Sequence, residues 1–364
     1  MAGMDVKAFG DAYAGRRVLV TGHTGFKGSW LALWLHELGA EVTGIALDPE
    51  TAPNHWDLLG LPVRDLRFDI RDAGRLATAV AEAKPEVVFH LAAQALVRRS
   101  YRAPLDTWTT NVIGTANLLD ACRGVNGLKA VVAVTTDKVY QNNEWPWGYR
   151  ENDALGGHDP YSASKAAAEL VVASYRKSFF SAENAPLIAS ARAGNVIGGG
   201  DWSEDRLIPD IVRATARGES VEIRSPGAVR PWQHVLECLA GYLMLGQRLL
   251  ARDAAFAEAW NFGPEAADSR SVEEVLRAMR GHWPQFSWHR SNETHPHEAG
   301  LLRLDTAKAR SRLHWCPVWT LEEALEKTAT WYQAHFSDDK PPSRDQLFEY
   351  VAAARKRDVS WGAT

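Results

Sequence analysis

The sequence predicts an α/β protein: a doubly wound, mainly parallel sheet with a smaller mixed lobe toward the C-terminal end. Three observations lead there. Arg17–Val20 is a short apolar run that enters the glycine-rich segment TGHTGFKG, and Ser29–Leu38 follows with helical apolar spacing. Apolar runs of strand length then alternate with helix-like segments as far as residue 194. Beyond it the alternation weakens, and Gly198, Gly199 and Gly200 punctuate the change.

Taken in order, Glu41–Leu47 supplies the second strand, so that strand, glycine turn, helix and strand make one dinucleotide-binding unit. Val87–Phe89, Ala130–Thr135 and Leu187–Ala191 read as further strands. Gly74–Ala83, Thr107–Arg123 and Ser162–Phe180 read as helices between them. Such alternation covers a parallel sheet on both faces, the Rossmann-type arrangement. Residues 209–219, PDIVRATARGE, resemble a surface helix and its exit, while Val235–Leu250 and Leu321–His335 are longer helices. DDKPPSRD reads as a loop before a terminal helix. The expected division is residues 1–194 for the cofactor and the catalytic residues, and residues 195–364 for a substrate-binding lobe, with the chain free to cross between them.

Composition narrows the function. The chain has 364 residues, 46% apolar and 24% charged, an ordinary globular balance. Its 41 basic and 45 acidic side chains leave a net charge of -4, with no excess for tracking a nucleic acid. No apolar run is long enough for membrane insertion, and MAGMDVKAFGDAYAG does not resemble a secretory signal. Cys122, Cys238 and Cys316 lie far apart and form no metal motif, so reduced thiols in a cytoplasmic protein are expected. Several of the 15 tryptophans are expected to fill core gaps.

Gly22, Gly25 and Gly28 stand in the spacing GxxGxxG directly after the first strand. Glycines there allow a tight turn, a close approach of backbone to pyrophosphate, and close packing of the next helix, whose N-terminus favours the anion. A turn that merely joins strand to helix is the alternative; placement directly after an apolar strand favours the cofactor site. Thr24 and Phe26 belong to the same cofactor site. Asp48, 20 residues after Gly28, can accept hydrogen bonds from a free adenosine ribose and would repel a 2′-phosphate, so NAD is expected rather than NADP. Asp69 follows another short strand and is placed near adenine, with Ile70 and Arg71 offering packing and charge.

YSASK sets Tyr161 and Lys165 four residues apart on one helical face. An ammonium nearby, with a positively charged cofactor, favours tyrosinate and makes Tyr161 a base. Thr136, in TTDK after a strand, can donate a hydrogen bond to the same substrate oxygen. No metal is called for.

With TGHTGFKGSW, HLAAQALVRRSY, TTDKVY, YSASK, RAGNVIGGGDW, DRLIPDIVR and RPWQHV, the chain resembles the extended short-chain dehydrogenase/reductase family over nearly its whole length, and within it the branch of CDP-glucose 4,6-dehydratases. The resemblance implies a resident NAD, CDP-glucose as substrate, a cytoplasmic homodimer, and a role in supplying deoxysugars for surface polysaccharides. It implies that Tyr161 takes the C4 hydroxyl proton, that Thr136 assists, and that Lys165 tunes the tyrosine and holds the nicotinamide ribose. Asp137 resembles the acid that protonates the departing C6 oxygen. Lys138 stands where the wider pattern has glutamate; it either removes the C5 proton or stabilises the enolate as an ammonium. A lysine pointing to solvent is the plain alternative.

On the substrate side the same likeness places Asn195 near the sugar or diphosphate. Arg206 is a candidate for the nucleotide and Arg230 for phosphate, which suits the planar guanidinium fork. His234 either completes this site or supports the turn, and Trp232 either packs on a nucleotide ring or fills the core. Gln94 reaches a ligand or bonds neighbouring backbone. HPHEAGLLRLD departs from the arginine-bearing phosphate segment of many epimerases, with His295 or His297 in comparable space. A nucleotide-sugar 4-epimerase or reductase is the main alternative, and a noncatalytic dinucleotide sensor a remoter one.

Overall fold

The computed structural model describes residues 8–265, 268–291, 299–338 and 342–362. The chain runs β1 (Arg17–Thr21), α1 (Phe26–Glu37), β2 (Glu41–Ala46), α2 (His55–Leu59), β3 (Arg64–Arg67), α3 (Ala73–Ala83) and β4 (Val87–His90). It continues through α4 (Val97–Arg102), α5 (Pro104–Trp108), α6 (Gly114–Cys122), β5 (Ala130–Val134), α7 (Pro160–Ser178), β6 (Leu187–Ala193), β7 (Asn195–Ile197) and α8 (Leu207–Ala216). Then come β8 (Ser220–Ile223), β9 (Val229–His234), α9 (Val235–Leu250), β10 (Ala259–Phe262), β11 (Ser269–Ser271), α10 (Val272–His282), β12 (Ser287–Arg290), α11 (Leu321–Asp338) and α12 (Ser343–Lys356).

Seven strands form the main sheet in the order β10-β6-β5-β4-β1-β2-β3, and every pairing is parallel. The side-chain period of two divides its apolar residues between two cores. Val18, Val20, Phe89, Val132 and Ala191 pack on the face covered by α1 and α9, while Leu19, Val88, Val131 and Ile188 face α3, α6 and α7. Both faces of β4 and β5 are therefore covered, which is why VVFH and AVVAV are buried throughout. Two smaller sheets, β11-β9-β7 and β12-β8, mix parallel and antiparallel pairs beside it. Residues 235–262 return to the main sheet, α9 packing under β5 and β6 and β10 adding its edge.

Some expected boundaries shift for local reasons. Helix α1 begins at Phe26, three residues before the expected Ser29, because extended Gly25 is its N-cap and Gly28 lies inside the helix without adding to the apolar pattern. The expected helix Thr107–Arg123 is α5, a π turn over Thr109–Ile113, and α6. Gly114 sits at that junction where a Cβ would come within 2.5 Å of Ile70. Trp30, Trp34, Trp260, Trp315 and Trp331 are fully buried and fill the core. No helix among the described residues is long and apolar enough to cross a membrane, and among them no group of three or more His, Cys, Asp or Glu is placed to hold a metal.

Candidate active site

The carboxyl ends of β1, β4, β5 and β6 open into one long crevice, closed on its far side by the small sheets. Open parallel sheets hold their ligands in this position.

At the β1 end, Gly22 has φ +77°, and a Cβ there would lie 2.6 Å from the Ala92 nitrogen. A Cβ on Gly28 would meet the Gly22 carbonyl oxygen at 2.0 Å. Only glycine fits at either place, so the turn is pressed against β4 and the start of α1 stays open to the crevice. Thr24 ties the turn to the end of β2 by donating to the Leu47 carbonyl at 3.0 Å. Phe26, Asp48, Asp69 and Ile70 line the same end. Asp48 is 88% exposed and 3.5 Å from Arg67, whose closer partner is Asp65 at 2.6 Å. Asp69 accepts from the Arg71 guanidinium, which holds its carboxyl below the usual range. A glycine cradle at a helix N-terminus with carboxylates beyond the second and third strands fits a dinucleotide.

At the end of β5 the backbone turns sharply. Thr136 caps the turn Asp137–Val139 and donates to Asp137 Oδ1 at 2.9 Å. Lys138 Nζ lies 3.7 Å from the same oxygen. Asp137 is 1% exposed, and its Oδ2 has no hydrogen-bond partner among the described residues. Asp137 and Lys138 both line the crevice, which argues against a lysine pointing to bulk solvent.

Asp159 caps α7 by accepting from the Ser162 amide at 2.9 Å, and Pro160 opens its first turn. This aims Tyr161 and Lys165 into the crevice opposite Thr136. Burial pushes the Tyr161 phenol up to about 12, against the neighbouring Thr136 hydroxyl and the Arg206 charge. Burial brings the Lys165 ammonium down to about 8; Glu169 opposes the shift and Lys27 adds to it. Lys165 donates to the Val134 carbonyl at 2.9 Å.

Toward the small sheets, Asn195 opens β7 on the crevice wall, and its amide makes no hydrogen bond among the described residues. Arg206 pairs with Asp201 at 3.0 Å, and its charge bears on Tyr161. Arg230, in β9, also lines the crevice and donates to the Val229 carbonyl at 3.0 Å. His234 stands apart. It is 0% exposed, lies between Trp30 and Trp319, and accepts from the Leu236 amide to cap α9. Of its two readings, support of the turn is the one this geometry fits. Trp232 donates to the Arg270 carbonyl. Gln94 bonds both the amide and the carbonyl of Leu96, so its amide is occupied by backbone. His295 and His297 lie outside the described residues.

Three features went unread in the sequence. Lys27, in the first turn of α1, lines the crevice, and burial lowers its pKa. A cation there opposes the helix dipole, and that misfit was the available signal. Arg98 and Arg224 both pair with Asp205, at 2.9 and 3.1 Å, tying α4 to the loop before α8 across the crevice mouth. Beneath the floor lies a buried Glu169–Arg192 pair at 2.9 Å.

The GDP-mannose 4,6-dehydratase family model matches residues 19–328. The CDP-glucose 4,6-dehydratase of Salmonella typhimurium is 49% identical over 94% of this chain and 98% of its own. A dTDP-glucose 4,6-dehydratase of Streptomyces griseus is 30% identical over 88% of this chain and 95% of its own. Among solved structures, the UDP-glucose 4-epimerase of Thermus thermophilus in complex with NAD superimposes with a TM-score of 0.75 at 25% identity, covering 87% of this chain and 98% of that one. A glycine cradle, a Thr-Tyr-Lys set drawn from the end of β5 and the first turns of α7, and these matches agree: the chain belongs to the GDP-mannose 4,6-dehydratase family, among the extended short-chain dehydrogenases/reductases.

Proposed function

We propose that this chain is an NAD-dependent CDP-glucose 4,6-dehydratase, releasing water and CDP-4-keto-6-deoxy-D-glucose. The observation that carries this reading is near-full-length identity of 49% to a CDP-glucose 4,6-dehydratase, against 30% for a dTDP-glucose counterpart. The Asp137–Lys138 pair in the crevice supports it, since C4 epimerisation needs no acid to expel the C6 hydroxyl.

NAD, when bound, supplies the hydride acceptor for C4 and the hydride donor for C6. Gly22, Thr24, Gly25, Phe26 and Gly28 would hold its pyrophosphate, with Asp48 at the ribose and Asp69 and Ile70 toward adenine. Tyr161 takes the C4 hydroxyl proton while Thr136 donates to that oxygen. The phenol, at about 12 in the free protein, needs added positive charge to act as a base near neutrality. Lys165, one turn along α7, contributes part of that charge, and NAD, when bound, would supply the rest. The 4-ketone acidifies C5, and Lys138 acts there, on the proton or on the charge its loss leaves. Asp137 gives its proton to the leaving C6 oxygen through Oδ2, the atom with no hydrogen-bond partner among the described residues.

Asn195, Arg206 and Arg230 hold the nucleotide sugar. On this reading residues 1–194 mainly serve the cofactor and residues 195–364 mainly the substrate. The enzyme works as a cytoplasmic homodimer and supplies deoxysugars for surface polysaccharides. Exposed Leu105, Ile113 and Leu170 on the adjacent helical segments α5 to α7 support the dimer. Equal concentrations of CDP-, UDP- and dTDP-glucose, compared by kcat/KM for the 4-keto-6-deoxy product, test the substrate. A preference for either of the latter two overturns it, and a C4 epimer from CDP-glucose makes the enzyme an epimerase.

A further inference from the structure

The catalytic groups come from two elements that meet end to side. Thr136 follows β5, while Tyr161 and Lys165 lie on α7. Their relative placement depends on whatever fastens the end of β5 to that helix. Two consecutive residues do so. The Val134 carbonyl accepts from Lys165 Nζ at 2.9 Å, and the Thr135 hydroxyl donates to Glu169 Oε1 at 2.6 Å.

Glu169 is 4% exposed, one helical turn beyond Lys165 and two beyond Tyr161. Its carboxylate is fully occupied. Besides Thr135 it accepts from Ser190 Oγ at 2.7 Å and from Arg192 Nε and Nη2 at 3.0 and 2.9 Å. Arg192, 3% exposed in β6, also donates to the Tyr140 hydroxyl at 2.9 Å. The network thus joins β5, β6, α7 and the segment after the Asp137 turn. A buried ion pair of this kind carries a desolvation cost that apolar residues of similar size would avoid, so stability alone accounts poorly for it.

Building on the proposed dehydratase reading, we propose that the Glu169–Arg192 pair is a positioning device for the reaction: Glu169 locks the strand end that carries Thr136 to the helix that carries Tyr161 and Lys165, and sets a negative charge one turn from the Lys165 ammonium. Arg192 holds Glu169 in its ionised, two-sided grip. Neither touches the substrate.

The charges around Lys165 fix the sign of the effect. Lys27 from α1 faces it as a like charge, and Glu169 from α7 as the opposite one. His90 at the end of β4 is held neutral, at about 3, by burial and by Lys165. Arg192 and, farther along α7, Arg176 act on Glu169 from the other side. Lys165 loses its proton as the pH rises through about 8, and Glu169 keeps that loss from coming earlier.

Three variants of the whole protein separate fastening from charge. Thr135→Val removes one bond and no charge. Glu169→Asp keeps the charge but shortens the reach. Glu169→Gln keeps the shape and removes the charge. Each is compared with wild type by kcat, KM and the pH profile of kcat, with melting curves to show folding. Thr135→Val and Glu169→Asp should lose about tenfold in kcat, the equivalent of roughly one hydrogen bond, with KM within about twofold and the alkaline limb unmoved. Glu169→Gln should lose at least as much and also move that limb to lower pH by about one pH unit. A limb that stays put in folded Glu169→Gln, or a wild-type kcat in folded Thr135→Val, overturns the proposal. If Glu169→Gln does not fold, Thr135→Val and Glu169→Asp still decide it by kcat. Failure of the dehydratase reading shows instead in the wild type, as absence of the 4-keto-6-deoxy product. The same limb is then read on whichever nucleotide sugar the wild type oxidises.

Discussion

Asp137→Asn removes the group proposed as the acid at C6 and almost nothing of the shape of the site. Asp137 Oδ1 accepts from Thr136 at 2.9 Å, a bond that an asparagine oxygen can keep. Oδ2 is buried with no hydrogen-bond partner among the described residues, and it is the atom proposed to serve the departing C6 oxygen. On the proposed function, oxidation at C4 depends on Thr136, Tyr161 and Lys165 and makes no demand on an acid at C6. A positioned general acid is worth about 10²–10⁴ in rate, or roughly 3–5 kcal/mol at 1.36 kcal/mol per decade. Turnover to the 4-keto-6-deoxy product should therefore fall by about 10²–10⁴, while the first oxidation stays within about threefold of wild type. Rapid mixing of enzyme with CDP-glucose reads both, through the absorbance of reduced nicotinamide and quenched product. The variant should accumulate reduced cofactor that wild type shows only transiently. Wild-type product formation, or an oxidation lost in step with the product, refutes the assignment of Asp137 to elimination.

Denaturing the purified protein should release NAD and not NADP. Gly28→Ala, whose methyl would fall 2.0 Å from the Gly22 oxygen, should co-purify with little or none, as chromatography of the released dinucleotide will show. Glu237 lies fully buried in α9, and burial raises its carboxyl to about 7 from 4.5 despite donors from Val318, Trp319 and Tyr350. The raised folded value means stability is greatest below the unfolded pKa and declines between about pH 4.5 and 7, by roughly 3 kcal/mol from this residue. Denaturant titrations of wild type and Glu237→Gln across that window should show a flatter dependence in the variant. Light scattering should give a dimer for wild type, and Leu170→Lys, on an exposed position of α7, should shift it toward monomer.

What could be read from the sequence follows from how local each signal is. The strands β1, β4 and β5 stand out because covered faces on both sides demand apolar runs. Strand β3, RDLR, is legible only as a short strand before Asp69, without an apolar run to mark its bounds, because the sheet edge faces water and tolerates charge. Strand β10, AWNF, hides for the opposite reason. Its Asn261 is fully buried, satisfied by the Tyr140 hydroxyl and by the carbonyls of Tyr149 and Asp305, partners that no short window contains.

The site divides the same way. TTDK and YSASK are compact, so Thr136, Tyr161 and Lys165 could be named from the residues, Asp137 and Lys138 from the family resemblance, and the fold brings all five to one crevice. His234 sits in an equally suggestive motif, RPWQHV, yet which way it points is decided by Trp30 and Trp319, far away in sequence. Arg192 and Glu169 lie inside or beside recognisable motifs, and spacing gives neither a role. The reason is geometric: Arg192 alternates with Ala191 along β6, and the side of the sheet it occupies becomes meaningful only when α7 is laid across it. Local spacing can nominate groups that touch a ligand, because one turn or one helical face delivers them together. Groups that work by holding those first ones in place are delivered by packing between elements. They become visible as buried polar atoms whose hydrogen bonds are all accounted for, like the four that converge on Glu169.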